Sequence, residues 1–374
     1  MSEYQYYEFV AVDRPLGEAD QAALRALSSR ARITGTSFTN YYEWGDFKGD
    51  PVALMQRWFN LHLYLANWGT RRLMMRLPAR SLDPARLEPF LQEVDWVDVE
   101  TFGEDFLVDF LQEDEEPDAD FDDGSGWLAA LAPLRADLLS GYLRVFYLVW
   151  LSAVAQGLLP DETPEPLPGI GPLSGALDAF AAFFGIDADL VAVAAERDAV
   201  DRPPSGDAAR MQVAALPEEE KTDLLVRLVE GDPHAGCALR ARLRDDDAGA
   251  AAVRRTVGEL RRRAQARAEE RARAAAERRA AEQRRQAEAA ERARRARLDA
   301  LRQRGASAWR DVEAEIARRN AAAYDRAATL LADLKTVAAE DGTLDAYARR
   351  LEDLRARHAR KPKLLARLDR LRAG

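Results

Sequence analysis

Residues 260–298 have the sequence LRRRAQARAEERARAAAERRAAEQRRQAEAAERARRARL, which consists almost entirely of Ala, Arg, Glu and Gln. No Gly, Pro, large aliphatic or aromatic residue lies between the two terminal leucines. Because these four residue types are strong helix formers, the stretch predicts one continuous helix over about 253–298. With almost no apolar side chain to bury, this helix is expected to be solvent-exposed and coiled-coil-like.

The charge of the chain changes sign near this helix. Residues 251–374 contain 33 Arg or Lys and 19 Asp or Glu, a net charge of +14. Residues 1–250 contain 21 and 45 of these residues, a net charge of −24. An acidic body followed by a basic arm indicates either an acidic partner for the arm or fold-back of the arm onto the body.

Cysteine content and hydropathy favour a cytoplasmic protein. The single cysteine, Cys237, excludes an internal disulfide and is typical of a reducing compartment. The N-terminal residues lack the basic and apolar segments of a signal peptide. The most apolar run, 145–155, is too short to span a bilayer and predicts a buried core helix, so no membrane partner is expected.

Residues 1–112 predict an α/β sandwich domain. Strand-like and helix-like runs follow one another in the order β-α-β-α-β-α-β-β, which places the helices largely on one face of a sheet. Asp50 and Pro51 begin the second helix, which is expected to reach about Asn67. A third short helix is expected from Asp83 to about Gln92. The predicted strands are 5–12, 32–42, 71–77, 96–102 and 104–111.

Composition divides the rest of the chain into four segments. Residues 113–126 are acidic and poor in apolar side chains, which is typical of a linker. Residues 127–248 carry short amphipathic patterns that predict an all-α domain. The long basic helix is assigned to 249–304. Residues 305–374 carry two apolar stripes that predict an antiparallel helical hairpin, so the fold class is α+β.

Two segments resemble known groups of proteins. The stretches WGDFKGDP (44–51) and NWGTR (67–71) resemble a group of uncharacterised bacterial proteins, a likeness that implies no activity. The C-terminal hairpin is similar to the tail of some bacterial SWIM zinc-finger proteins, which implies an interaction module. The zinc site of that family is absent, because one cysteine and three scattered histidines cannot form a tetrahedral site.

The two Trp-Gly stretches contain the candidate ligand-binding residues, Trp44, Asp46, Lys48, Asn67 and Arg71. If both loops lie at the same sheet edge, these carboxylate, amide and cationic groups could share a ligand pocket or a metal-dependent, nuclease-like centre. A structural interpretation stands beside this one and is favoured. In it, Trp44 packs, the glycines adopt special backbone angles and Asp50 caps a helix, while Arg71 or Arg72 pairs with Asp46 or Glu43.

No other motif supports a catalytic, metal or cofactor site. Asp118, Asp120 and Asp122 have the spacing of a calcium loop, but Asp123 and Ala129 stand where that loop needs Gly and Glu. Phosphate-binding and nucleophile-elbow motifs are absent from the sequence. We therefore expect no cofactor, no metal and no catalytic residues.

These patterns favour a non-enzymatic cytoplasmic scaffold or adaptor whose long helix holds two binding modules apart or mediates coiled-coil association with a protein partner. Homo-oligomerisation through the long helix is one such arrangement. The alternative is a nucleic-acid-associated protein that uses its basic arm. This alternative is less favoured, because Arg alternates with Glu along the arm and the long helix has no aromatic residues to stack on bases. An enzyme centred on the two Trp-Gly loops is a third alternative.

Overall fold

The computed structural model of the protein describes residues 3–113, 122–199, 206–244 and 253–373. The fold is α+β, as the sequence predicts, with one antiparallel sheet and many helices. The chain divides into two compact units, Met1–Glu270 and Arg271–Gly374. Most of the predicted acidic linker, and with it Asp118 and Asp120, lies outside the described residues.

The sheet of the first unit has seven strands in the order β2-β3-β1-β4-β5-β7-β6. They are β1 (Gln5–Val10), β2 (Arg32–Ile33), β3 (Ser37–Tyr42), β4 (Leu61–Ala66), β5 (Arg71–Pro78), β6 (Val97–Phe102) and β7 (Asp105–Gln112). β1 pairs with β3 on one side and β4 on the other, so that Gln5 lies opposite both Tyr42 and Ala66. The ends of β3 and β4 therefore flank the start of β1 at one end of the sheet.

In the described residues of the first unit, ten α-helices precede the long helix. They are α1 (Glu18–Leu27), α2 (Pro51–Arg57), α3 (Trp127–Leu131), α4 (Pro133–Leu139), α5 (Arg144–Gln156), α6 (Gly175–Phe183), α7 (Ala188–Ala194), α8 (Gly206–Ala215), α9 (Glu218–Val229) and α10 (Ala235–Arg242). Helix α8 is not anticipated by the sequence analysis.

Two predicted N-terminal helices are wrong. The helix that begins at Pro51 ends at Arg57 rather than Asn67, and β4 follows it. β4 lies between β1 and β5 and is buried on both faces, so its sequence LHLYLA lacks the alternation of a half-exposed strand. After Asp83 the chain forms only a 3₁₀ turn, Pro84–Arg86, which the Asp83 carboxylate caps.

Helices cover both faces of the sheet, because the α-helices of residues 1–112 pack on one face and helices from later in the chain pack on the other. One face carries Phe9 and Met74 and packs against α1 and α2. The other carries Leu63 and Phe110 and packs against α3 to α7. Residues on both sides of the predicted boundary at 113–126 therefore contribute to one core, in which burial of apolar surface is the main stabilising term.

Helix α5 is the most deeply buried helix of this core and confirms the predicted core helix. Ten of its thirteen residues are buried. Among the described residues, no single helix has the length and apolar composition needed to cross a bilayer. The segments Trp127–Leu139 and Arg144–Gln156 have that length and composition only when they are taken together, and the chain bends by 109° between them.

A buried ion pair fixes the segment that leads into the long helix. The side chains of Glu165 and Arg255 are both fully buried and lie 2.8 Å apart. Arg255 also donates to the carbonyl oxygens of Val193 and Ala194, and the Tyr147 hydroxyl donates to Glu165 at 2.6 Å. Burial and the Glu165 carboxylate raise the pKa of Tyr147, which therefore stays a neutral donor. Every charge in this cluster is thus hydrogen-bonded, as burial requires.

Helix α11 (Val257–Arg304) confirms the predicted continuous helix, although it begins and ends a few residues later. Its first turn belongs to the core of the first unit, where Val257 and Leu260 are fully buried. Over 271–297 every side chain except that of Ala281 is exposed. This stretch is held by intrahelical ion pairs such as Glu291 with Arg295, 3.0 Å apart, which contribute a few tenths of a kcal/mol each.

The second unit is not the predicted two-helix hairpin. It contains α12 (Ala306–Ala317), α13 (Ala321–Glu340), α14 (Leu344–Arg357) and α15 (Pro362–Ala373), packed with Leu298 and Leu301 from α11. The first predicted stripe is divided because Arg319 has a φ of +54° and the Asn320 side chain accepts from Ala323 N at 2.8 Å. Asn320 is therefore a helix N-cap within a run that otherwise has helical periodicity.

Candidate functional site

Both Trp-Gly loops lie at the same end of the sheet, which meets the condition set by the sequence analysis. The first loop follows β3, and the second joins β4 to β5. Because β1 lies between β3 and β4, the start of β1 contacts both loops. Asn67 fixes the second loop there, since its Oδ1 accepts from Tyr4 N at 3.0 Å and its backbone N–H donates to Tyr4 O at 3.0 Å.

Gln5 holds the first loop against the sheet. Its Nε2 donates to Gly45 O at 3.1 Å and to Asp46 Oδ1 at 3.2 Å. Its Oε1 accepts from the hydroxyls of Tyr7 at 2.7 Å and Tyr64 at 3.3 Å. The sequence gives no signal for this network, because strand pairing brings together residues that are about 40 to 60 positions apart.

The two phenols of this network remain protonated at neutral pH. Burial, reinforced by Asp46, raises the pKa of Tyr64 to about 12. Burial and the neighbouring Tyr64 raise the pKa of Tyr7 as well. Both hydroxyls already donate to Gln5, so neither is available as a base or nucleophile. The network can position the loop, but its two phenols supply neither a base nor a nucleophile.

Arg71 does not join Asp46, so the predicted shared pocket is wrong for this residue. Tyr64 lies opposite Arg72 across β4 and β5, which places Arg71 on the other face of the sheet. There the Arg71 guanidinium donates to the carbonyl oxygen of Phe183 and lies 5.8 Å from the centroid of its ring. Arg72 is held by the carboxylate of Asp109 at 2.5 Å rather than by Asp46 or Glu43.

The structural interpretation of the first loop is right for Asp50 and for the backbone of Gly45, and wrong for Trp44; Gly49 does not have a left-handed backbone. Asp50 Oδ1 accepts from Val52 N at 2.9 Å and caps α2. Gly45 has a φ of +76°, and a Cβ on Gly49 would lie 2.5 Å from the Phe47 ring. These positions require glycine. Trp44, in contrast, does not pack in the core.

Three large aromatic side chains are exposed around these loops. Trp44 is 69% exposed, Tyr41 62% and Trp68 38%. Tyr41 stacks on Tyr4, with ring centroids 6.5 Å apart, and the Trp68 indole donates to Thr70 Oγ1 at 3.0 Å. We call Tyr41, Trp44 and Trp68 the aromatic surface. Lys48 lies on the same loop and is also exposed.

Within the described parts of the chain, no group of three or more His, Cys, Asp or Glu side chains could hold a metal ion. No protein-family model, no curated protein and no solved structure matches the chain.

Proposed function

We propose that the chain is a non-enzymatic cytoplasmic scaffold or adaptor that binds a protein partner through the aromatic surface. The exposure of Tyr41, Trp44 and Trp68 at one end of the sheet is the observation that supports this function. Large aromatic side chains normally bury most of their area, and Trp and Tyr are enriched among the residues that dominate the free energy of protein association. Water around these rings would be released when a partner covers them.

The aromatic surface is also held in place before a partner binds. The Gln5 hydrogen bonds fix the backbone at Gly45, next to Trp44, and the indole of Trp68 is oriented by Thr70. A rigid surface loses little conformational entropy on association. The neutral phenols beneath it argue against the third alternative, an enzyme centred on these loops.

Trp44→Ala is expected to weaken association with a co-purifying protein by at least about 30-fold, because a hot-spot tryptophan contributes about 2 kcal/mol or more. The free energy of unfolding should change by less than about 0.5 kcal/mol, since the side chain is exposed. Val12→Ala is the matched control, because Val12 is an exposed apolar residue just beyond the opposite end of β1. Equal partner recovery with both variants of the full chain would contradict the proposal.

Nucleic-acid binding through α11 is the second candidate function. Residues 271–297 contain ten Arg and four Glu, all exposed, and several of these arginines make no ion pair with a described residue. Phosphate binding by such a helix would release counterions and would therefore weaken with added salt.

The second candidate predicts that replacing Arg278, Arg285 and Arg292 together by Gln lowers affinity for a DNA duplex. These residues recur every seven positions and so lie near one another on the helix surface. If three phosphate contacts are lost, the slope of log K against log salt should become shallower by about 2 to 3. Gel mobility of the full chain measures this, and no shift by the wild type at low salt would exclude the function.

A further inference from the structure

A cavity of the first unit lies away from the aromatic surface, among the 3₁₀ turn Ala79–Ser81, α4, α9 and α10. Its volume is about 380 Å³, within the range of small-molecule sites. Leu139 and the small side chains of Ala238 and Ala241 line its apolar part. The polar lining is unusual for an acidic body, because it consists of Arg80, Ser81, Arg227, His234 and Arg242.

The carboxylates near this cavity neutralise only part of its positive charge. Asp232 pairs with Arg227 at 2.9 Å, and Glu220 pairs with Arg242 at 2.6 Å. Arg80 is exposed and forms neither an ion pair nor a hydrogen bond within the part of the chain that the structure describes. The Arg80 guanidinium therefore has no counter-charge among the described residues. The guanidinium groups of Arg227 and Arg242 also keep N–H groups that are free to donate.

His234 is fixed at the inner wall of the cavity. Its Nε2 lies 3.2 Å from Asp13 Oδ1, and its Nδ1 lies 4.0 Å from Asp232 Oδ1. Asp13 is itself held by Arg135 at 2.6 Å. Asp13, in the segment after β1, therefore lies between Arg135 on α4 and His234 at the start of α10, so both helices of the cavity wall contact the same carboxylate.

We propose that this cavity binds a small organic anion, a phosphate ester or a carboxylate. The charged end of the ligand binds Arg80 together with Arg227 and Arg242. The apolar part of the ligand packs on Leu139, Ala238 and Ala241. Arginine forks match the geometry of both anions and bind them with charge-assisted hydrogen bonds. The apolar wall distinguishes this site from a surface patch that attracts inorganic anions alone.

Phenyl phosphate is a suitable probe, titrated by calorimetry into the full chain at constant ionic strength. We expect saturable binding that is tighter than that of inorganic phosphate, and no binding of phenol, which lacks the charge. Arg80→Gln should weaken phenyl phosphate binding by about tenfold, the effect of losing one charge-assisted hydrogen bond. Arg80 has no partner to lose, so this variant is expected to fold normally.

Arg240→Gln is the matched control, because Arg240 is an exposed arginine on α10, close to the cavity residue Arg242, but does not itself line the cavity. It should bind phenyl phosphate as the wild type does. Benzoate in place of phenyl phosphate shows which of the two anions the site prefers, and either preference supports the site. No saturable binding of either probe, or equal weakening by Arg80→Gln and Arg240→Gln, would overturn the proposal.

Discussion

Arg255→Met is expected to lower the free energy of unfolding by about 3–5 kcal/mol, because it removes the buried partner of the Glu165 carboxylate. Only the partly exposed Arg197, 3.7 Å away and without the hydrogen bonds that Arg255 makes, then remains as a counter-charge. Arg255 also satisfies the carbonyl oxygens of Val193 and Ala194, which would lose their donor. Denaturant unfolding followed by circular dichroism measures the change.

Two further variants separate the charge from the packing. Arg262→Met, on the first turns of α11, replaces an exposed arginine and should change stability by less than about 0.5 kcal/mol. The triple variant Glu165→Leu, Arg255→Met, Tyr147→Phe removes the fully buried ion pair and the hydroxyl, and leaves only the partly exposed Arg197 charged. It should recover most of the lost stability. A triple variant as unstable as Arg255→Met would show that packing, not the stranded carboxylate, accounts for the loss.

Acid is expected to destabilise the protein through His62, which lies in the core of the sheet. The imidazole is fully buried and stacks on Phe9, with ring centroids 3.9 Å apart. Its Nδ1 lies 3.0 Å from the carbonyl oxygen of Glu8, so this nitrogen carries the proton, and its buried Nε2 has no hydrogen-bond partner. Burial lowers the pKa of His62 from 6.5 to about 3.

The sign of the pH effect follows from this depressed pKa. Below pH 6.5 the unfolded chain binds a proton that the folded chain does not accept until about pH 3, so stability falls as pH falls through that range. The slope approaches about 1.4 kcal/mol per pH unit. Between pH 7 and pH 5 the contribution of His62 amounts to about 2 kcal/mol.

His62→Phe removes this titration and keeps an aromatic ring beside Phe9. The difference in unfolding free energy between wild type and His62→Phe should therefore move by about 2 kcal/mol in favour of the variant from pH 7 to pH 5. Other titrating groups are common to both proteins and cancel in the difference. A pH-independent difference, or a charged His62 ring in nitrogen NMR spectra of the folded protein at pH 5, would contradict the expected burial.

Local signals predicted the elements whose formation depends on neighbouring residues. Asp50 and Pro51 begin a helix as expected, and the long run of Ala, Arg and Glu forms α11. Two features that depend on tertiary context were not predicted. β4 reads as a helix because burial on both faces erases its alternation, and the break at Asn320 depends on one side-chain cap within a periodic run.

The sequence left open whether the two Trp-Gly loops share a sheet edge, because residue order alone does not decide it. The face on which Arg71 lies likewise depends on the register between β4 and β5. The Gln5 network, the Glu165–Arg255 pair and the Arg80 cavity all join residues that are distant in sequence. Strand register and helix packing bring these residues into contact, and composition alone predicts neither.

A photo-reactive phenylalanine analogue at position 44, introduced into the full chain in its natural host, tests partner binding by the aromatic surface most directly. Irradiation should join the chain to one discrete partner protein, and the same analogue at position 41 should capture the same partner. The analogue at position 12, just beyond the opposite end of β1, should give no such product. No cross-linked protein from positions 41 and 44, or the same products from position 12, would contradict the proposed function.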